Sequence, residues 1–504
     1  MSQALFTKQD VDLLGSHIEK ITKEAQKQQM LLIEPHEDEI RKVTAVILDF
    51  VAENKRKIYG GYALNLLVRD KNPKDAIYTE DEMPDIDFYS PEPLRDLVKI
   101  CNTLHQMGFK RVMGREALHK ETYSIKVNNQ LYCDISYVPR NIYHRMPFRE
   151  LAIKGQDGKV RKLMVIGPEF MMIDYFRLTT DMILSAWRLE KSVKRFYLLQ
   201  KYYPLPHINA PLPISGPKDP AVATTLTQLL DTIHNFVQER PSTVVVGFYA
   251  YDHFLKESGI LKANRKIFRY VDVPYYEIIT TEYKQDGIAL VDSLKKGFAT
   301  LADDLHVVEN YPFFQFWGYS AHIYYKDFLL AKVFSNNNRC IPFITVPSDN
   351  FRSGQLVPGT KTISIGSFSQ VMLYGLISVI KARVDQDKVM KDVYYTMLSH
   401  LIDARNYYFS TTKKTIYDTS PFQEFVIKCK GVPVTPEQER QMLIEYRKKR
   451  NRKYIFSYDP ATDFREEITF VFANSSGNPI KNFKNLKLVP GAKEDELEPE
   501  ESEE

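Results

Sequence analysis

The sequence predicts a mixed α/β (α+β) chain made of two tandem copies of one unit, each a mixed sheet flanked by helices, with the second copy degenerate. Three observations predict it. A strand, a glycine and a helix follow one another at 57–68 and again, in the same order, at 243–252. Between these stretches Pro204, Pro206, Pro211, Pro213, Pro217 and Pro220 deny the backbone donors that helix and sheet interiors require, marking a linker or draped loop. The acidic strand motif Asp85-Ile86-Asp87 has a counterpart, Tyr275-Tyr276-Glu277, that keeps one acid of the pair.

The elements follow in order. The first sixty residues read as helical, with His36-Glu37-Asp38-Glu39 ahead of an amphipathic run over 40–51 and a short strand at Lys57-Ile58-Tyr59. Gly60-Gly61 opens a helix whose residues 62–68 are apolar on every side but one, as burial against a sheet requires. A long helical stretch is expected over 169–202, an amphipathic helix over 226–237, a strand at 243–246 and a charged helix over 437–453. The expected organisation is a helical segment 1–35, a first domain 36–200, a proline-rich linker 201–220 and a degenerate second domain 221–430. A charged C-terminal segment 431–492 and a disordered acidic tail 493–504 complete it.

Composition sets limits. With 504 residues, 44% hydrophobic and 26% charged, the chain can build cores for two or three domains. It has no run of eighteen apolar residues for a membrane span, and Met1-Ser2-Gln3-Ala4 lacks the features of a signal peptide, so neither membrane insertion nor secretion is expected. Cys101, Cys133, Cys340 and Cys429 are far apart and form no C-x-x-C pair. They suggest neither a zinc site nor a disulfide framework, and fit a reducing compartment. Residues 493–504 carry eight acids against one lysine, so the remainder is more basic than the net +4, which favours a polyanionic partner, nucleic acid first.

On a strand, residues i and i+2 share a face, so Asp85 and Asp87 project together, and Asp134 in Tyr132-Cys133-Asp134-Ile135-Ser136-Tyr137 on a neighbouring strand completes the group. Three crowded carboxylates are unfavourable unless a cation neutralises them, and oxygen ligands select Mg²⁺ or Mn²⁺. Two such ions suit an in-line phosphoryl or nucleotidyl transfer. The chain supplies its own controls in Asp10-Val11-Asp12 and Asp385-Gln386-Asp387. These read as polar helical settings where i and i+2 diverge. Gly60 and Gly61 allow close approach of phosphate to the N-terminus of the following helix, although a tight strand-to-helix turn would use the same residues. Aligning the copies turns Asp85 into Tyr275, Asp134 into Lys332 and Gly61 into Phe248, so the second copy cannot hold two ions.

In Gly60-Gly61, Asp85-Ile86-Asp87 and Asp134 the chain resembles the polymerase-beta-like nucleotidyltransferase superfamily. Within it, Ile58-Tyr59-Gly60-Gly61-Tyr62-Ala63-Leu64-Asn65, Asp85-Ile86-Asp87-Phe88-Tyr89-Ser90 and Trp187-Arg188-Leu189-Glu190-Lys191 are similar to the poly(A) polymerases of large cytoplasmic DNA viruses, the giant mimivirus type above all. The resemblance spans most of the chain, is strongest over 55–200 and weakens through the second copy, where related enzymes carry a catalytically silent domain. It implies template-independent addition of AMP from ATP to RNA 3′ ends for viral mRNA polyadenylation, with Asp85, Asp87 and Asp134 as catalytic metal ligands. It also implies a homodimer and a place in the host cytoplasm, in the viral factory, with packaging in the virion as a further expectation. One departure stands out: the superfamily has Gly-Ser where this chain has Gly60-Gly61, so a serine contact to the triphosphate is missing.

On the 169–202 stretch, Arg188, Lys191 and Arg195 recur on one face with Lys194 adjacent, and the resemblance assigns Lys191, Lys194 and Arg195 to the triphosphate. A solvated face paired with Glu190 is the alternative. Arg447, Lys448, Lys449 and Arg450 open the densest basic cluster and are candidates for the RNA backbone; a nuclear signal or plain surface helix would look the same. Uridylyl-adding and CCA-adding enzymes, and an inactive RNA-binding scaffold, remain open as alternatives.

Overall fold

The computed structural model describes residues 7–464 apart from 34–36, 79–81, 83, 156, 215, 353–354 and 451–454. The acidic tail, the end of the charged helix and most of the charged segment lie outside these residues. The chain divides into two compact units, one of residues 1–50, 92–137 and 436–504, the other of 51–91 and 138–435.

In the first unit, strands Met113–Glu116, Thr122–Val127 and Gln130–Tyr137 form an antiparallel meander, with Ser457–Tyr458 paired to its outer edge. The two-residue turn Asn128-Asn129 has φ of 50° and 69°, the double left-handed conformation that matches the twist of a hairpin and that asparagine tolerates. Helix Pro93–Gln106 covers the meander through buried Leu97, Val98, Cys101 and Leu104, each such side chain contributing about 1.5–3 kcal/mol.

The second unit contains the core strands of both copies, and their registers show the repeat directly. Strand Ile86–Ser90 runs antiparallel to Lys57–Tyr59, which runs parallel to Val160–Ile166, itself antiparallel to Phe148–Lys154. Strand Tyr276–Thr280 stands in the same relation to Thr243–Val246, Thr362–Gly366 and Ile341–Pro347. Tyr59 lies opposite Asp87, and Val246 opposite Glu277. Each inner strand ends in a glycine with positive φ, 74° at Gly60 and 65° at Gly247, that opens a twelve-residue helix. The second sheet extends through Phe328–Ser335, Ser320–Tyr325 and Leu305–Asn310. Beneath it helices Phe368–Val384 and Lys388–Thr411 bury Leu376, Ile377, Val379, Met397, Leu398 and Leu401.

The proline-rich stretch drapes over this packing. Leu212 is buried, Ile208 N–H donates to Ser399 Oγ, and His400 Nε2 bonds the Ala210 carbonyl.

Three sequence expectations are corrected. The helix expected over 169–202 is broken into Pro168–Thr179, Met182–Ser185, a 3₁₀ turn at Ala186–Arg188 and Leu189–Tyr202. At the break, Thr180 Oγ1 donates back to the Phe176 carbonyl while Asp181 leaves the helical region at φ −125°, ψ 51°. Asp385-Gln386-Asp387 is a turn between helices, where Asp387 caps the next helix through Met390 N–H. Cys340 and Cys429 form a disulfide with Cα atoms 5.4 Å apart, because the pairing of Ile341 with Lys430 brings together residues 89 apart in sequence. Cys101 and Cys133 are free and buried. No described helix is long and apolar enough to cross a membrane.

Candidate active site

Asp87 follows the alternation of its strand, half-buried between Ile86 and Phe88, whose side chains fill the core; Asp85, one residue ahead of the strand, is exposed. The Gly60 turn is built around Asp87. A Cβ at Gly60 would lie 2.5 Å from Asp87 Oδ2, so the carboxylate rests against the backbone of the turn and admits only glycine there.

Tyr78 approaches the same turn. Buried Asn65 accepts hydrogen bonds from the backbone N–H groups of Ile77 (2.8 Å) and Tyr78 (3.2 Å), which fixes the segment bearing the tyrosine. Arg195 Nη2 donates to the Tyr78 hydroxyl at 2.8 Å. Burial raises the Tyr78 pKa, Arg195 opposes the rise, and the charges of Asp85 and Asp87 add to it. Burial likewise lowers the Lys191 pKa, with Arg195 adding to the fall and Asp85 opposing it. Gly60, Gly61, Tyr78, Asp85, Asp87, Lys191 and Arg195 therefore share one region of the second unit. Lys194, on the same helix, pairs with Glu190 at 2.9 Å on its exposed face.

In the first unit Asp134 stands opposite Ser124, whose hydroxyl donates to Asp134 Oδ1 at 2.6 Å. Among the described residues neither unit gathers three His, Cys, Asp or Glu side chains about one point as a metal cage. The donor chemistry in each unit still fits a hard divalent cation, since Asp85 and Asp87 in the second unit and Asp134 in the first each offer only carboxylate oxygens. Arg447 is engaged by both oxygens of Glu116, at 2.7 and 3.0 Å; Lys448, Lys449 and Arg450 are exposed, with Arg450 over the Tyr446 ring.

The second copy shows what becomes of the same framework with one acid left. Lys332 lies directly across from Glu277 and pairs with it at 3.2 Å, also meeting the hydroxyls of Tyr394 (3.1 Å) and Tyr275 (3.4 Å). Phe248, at the position of Gly61, packs against the Tyr275 and Tyr394 rings. Sequence reasoning missed Tyr78, because its distance from either motif carries no periodic signal and only the fold brings it to the turn.

The chain is similar to known proteins over most of its length. The family described as poly(A) polymerase catalytic subunit matches residues 45–184, and that described as the C-terminal part of the mimivirus putative poly(A) polymerase catalytic subunit matches 234–489. The putative poly(A) polymerase catalytic subunit of Acanthamoeba polyphaga mimivirus is 31% identical over 532 residues, covering 99% of this chain and 88% of its own length. Its counterpart in African swine fever virus is 29% identical over 33% of this chain and 34% of its own. The crystal structure of the Megavirus polyadenylate synthase superposes with a TM-score of 0.80 at 30% identity, covering 96% of this chain and 95% of that one. Fold and family matches together define a nucleotidyltransferase. More narrowly, the chain belongs to the viral poly(A) polymerase catalytic-subunit family, and is thus a polynucleotide adenylyltransferase acting on ATP and RNA.

Proposed function

We propose that this chain extends RNA 3′ ends with AMP, without a template, to polyadenylate viral mRNA in the host cytoplasm, and that it works as a homodimer. The observation that carries the reading is the contrast between the copies. Asp87 keeps its glycine turn, its neighbour Asp85 and the cations Lys191 and Arg195, whereas Glu277 is neutralised by Lys332.

Asp85, Asp87 and Asp134 would hold two divalent ions, Mg²⁺ or Mn²⁺, which when bound lower the pKa of the RNA 3′-hydroxyl and offset charge on the leaving pyrophosphate. The amides of the Gly60-Gly61 turn and the N-terminus of helix Gly60–Lys71 face phosphate oxygens. Lys191 and Arg195 neutralise the triphosphate, while Lys194 is spent on Glu190. Lys448, Lys449 and Arg450 supply charge to the RNA backbone.

Replacing Asp87 with alanine should abolish extension of an oligo(A) primer while circular dichroism and the thermal midpoint stay unchanged. Retained activity in that variant overturns the assignment. Offering ATP, UTP, CTP and GTP separately to the wild type should give extension with ATP alone.

A further inference from the structure

The Gly-Gly turn lacks the serine that the wider superfamily carries, yet the space a serine would fill is not empty. A Cβ built at Gly61 would lie 2.4 Å from the Tyr78 hydroxyl and 3.0 Å from Arg195 Nη1. The hydroxyl thus lies in the space that a side chain at 61 would enter, delivered from a segment seventeen residues away in sequence. We propose that Tyr78 is a nucleotide-binding residue whose hydroxyl replaces that serine, donating a hydrogen bond to the triphosphate of ATP at the start of helix Gly60–Lys71.

Several observations carry this. Arg195 donates to the phenolic oxygen, so the tyrosine's own proton is left to be directed at another acceptor. Tyrosine and arginine together present a neutral and a cationic donor beside the first turn of a twelve-residue helix, whose preceding residue, Tyr59, makes no side-chain capping bond. Asn65 holds the segment by two backbone hydrogen bonds, so the hydroxyl is positioned before any ligand arrives. In the second copy Phe248 fills the equivalent volume with a ring, and the hydroxyl of Tyr275 is turned to Tyr394 and Lys332. The copy that has lost two of the three acids has also closed this space.

Gly61 and Tyr78 are therefore alternatives: one chain can carry a serine at 61 or a tyrosine hydroxyl over a glycine, not both. The inference rests on the poly(A) polymerase reading, and its test separates the two. Equilibrium binding of ATP and of AMP to the full chain in Mg²⁺ is measured alongside primer extension. Tyr78→Phe should weaken ATP binding and raise the KM for ATP roughly ten-fold, the scale of a hydrogen bond to a charged group, with kcat and AMP binding little changed. Gly61→Ser should be impaired by collision with Tyr78, and Gly61→Ser combined with Tyr78→Ala should recover ATP affinity to within about three-fold of the wild type. Unchanged ATP affinity in Tyr78→Phe, an equal loss for AMP, or a double variant no better than Gly61→Ser overturns the proposal. A wild-type chain that neither binds nor incorporates ATP overturns the underlying reading as well.

Discussion

Gly60 shows how much one backbone position can decide. Its φ of 74° alone costs a side-chain-bearing residue about 1–2 kcal/mol, and a Cβ there would also meet Asp87 Oδ2 at 2.5 Å. Gly60→Ala is therefore expected to lower stability by about that amount in a denaturant titration and, by displacing Asp87, to cost far more in primer extension than the stability loss explains. Activity falling only in proportion to folded protein would count against the Asp87 role. This residue was legible in the sequence, because a glycine between a strand and a helix has few other uses and the downstream acids gave it a purpose. Tyr78 and Ser124 were not. Tyr78 reaches the turn by a chain crossing that no local pattern records, and Ser124 meets Asp134 through a hairpin register that the acidic motif alone does not assign.

Among elements, the strand pair bearing Glu277 and Lys332 carries the sharpest energetic consequence. Burial by itself would lower the Lys332 pKa, but Tyr275 and Glu277 outweigh it and the net direction is upward. A raised value means a stabilising contribution that is complete below the unfolded lysine pKa of about 10.4 and is lost only as pH rises through the folded value. At neutral pH it is wholly present. Lys332→Met leaves Glu277 buried without its cation and should cost about 3–5 kcal/mol by urea unfolding, most of it restored by Lys332→Met with Glu277→Gln. No restoration in the pair would show that packing around Lys332, not its charge, is what matters. The repeat alignment placed Lys332 where the first copy has Asp134, but its pairing with Glu277 is set by the register between two strands 55 residues apart, which alternation within either strand does not encode. Helix breaks were harder to see: Thr180 and Asp181 end a helix through side-chain and backbone geometry that helical periodicity alone passes over.

At the scale of the whole molecule, the histidines set an acid limit. Burial pushes His253 down to about 4, with Lys256 adding and Asp349 opposing, and pushes His322 down to about 4 with help from Lys332 and Lys381; His234 and His400 are also lowered by burial. Below the unfolded value of about 6.5 the unfolded chain takes up more protons than the folded one, so stability declines from there until the folded histidines protonate near 4. The thermal midpoint should fall across that window, and less steeply in His253→Phe. A flat profile would refute the account. Order along the chain made the tandem plan readable, because strand, glycine and helix recur with their spacing. The disulfide escaped because cysteines 89 residues apart are joined by strand pairing, which cysteine spacing does not encode.

The ammonium of Lys332 also acts as a permanent occupant of the second copy's acidic position. An exchangeable ion can leave a site and return, but a lysine is carried on the chain, and here Glu277, Tyr275 and Tyr394 all bond to it. Restoring Asp at 332 alone would set two carboxylates face to face, restoring Asp at 275 alone would remove the hydroxyl that Tyr394 and Lys332 share, and Phe248 would still fill the space beside the turn. Each backward step is disfavoured until the others have been taken. Lys332, Tyr275 and Phe248 thus form an interlocked set, and no single substitution among them recreates the arrangement around Asp87.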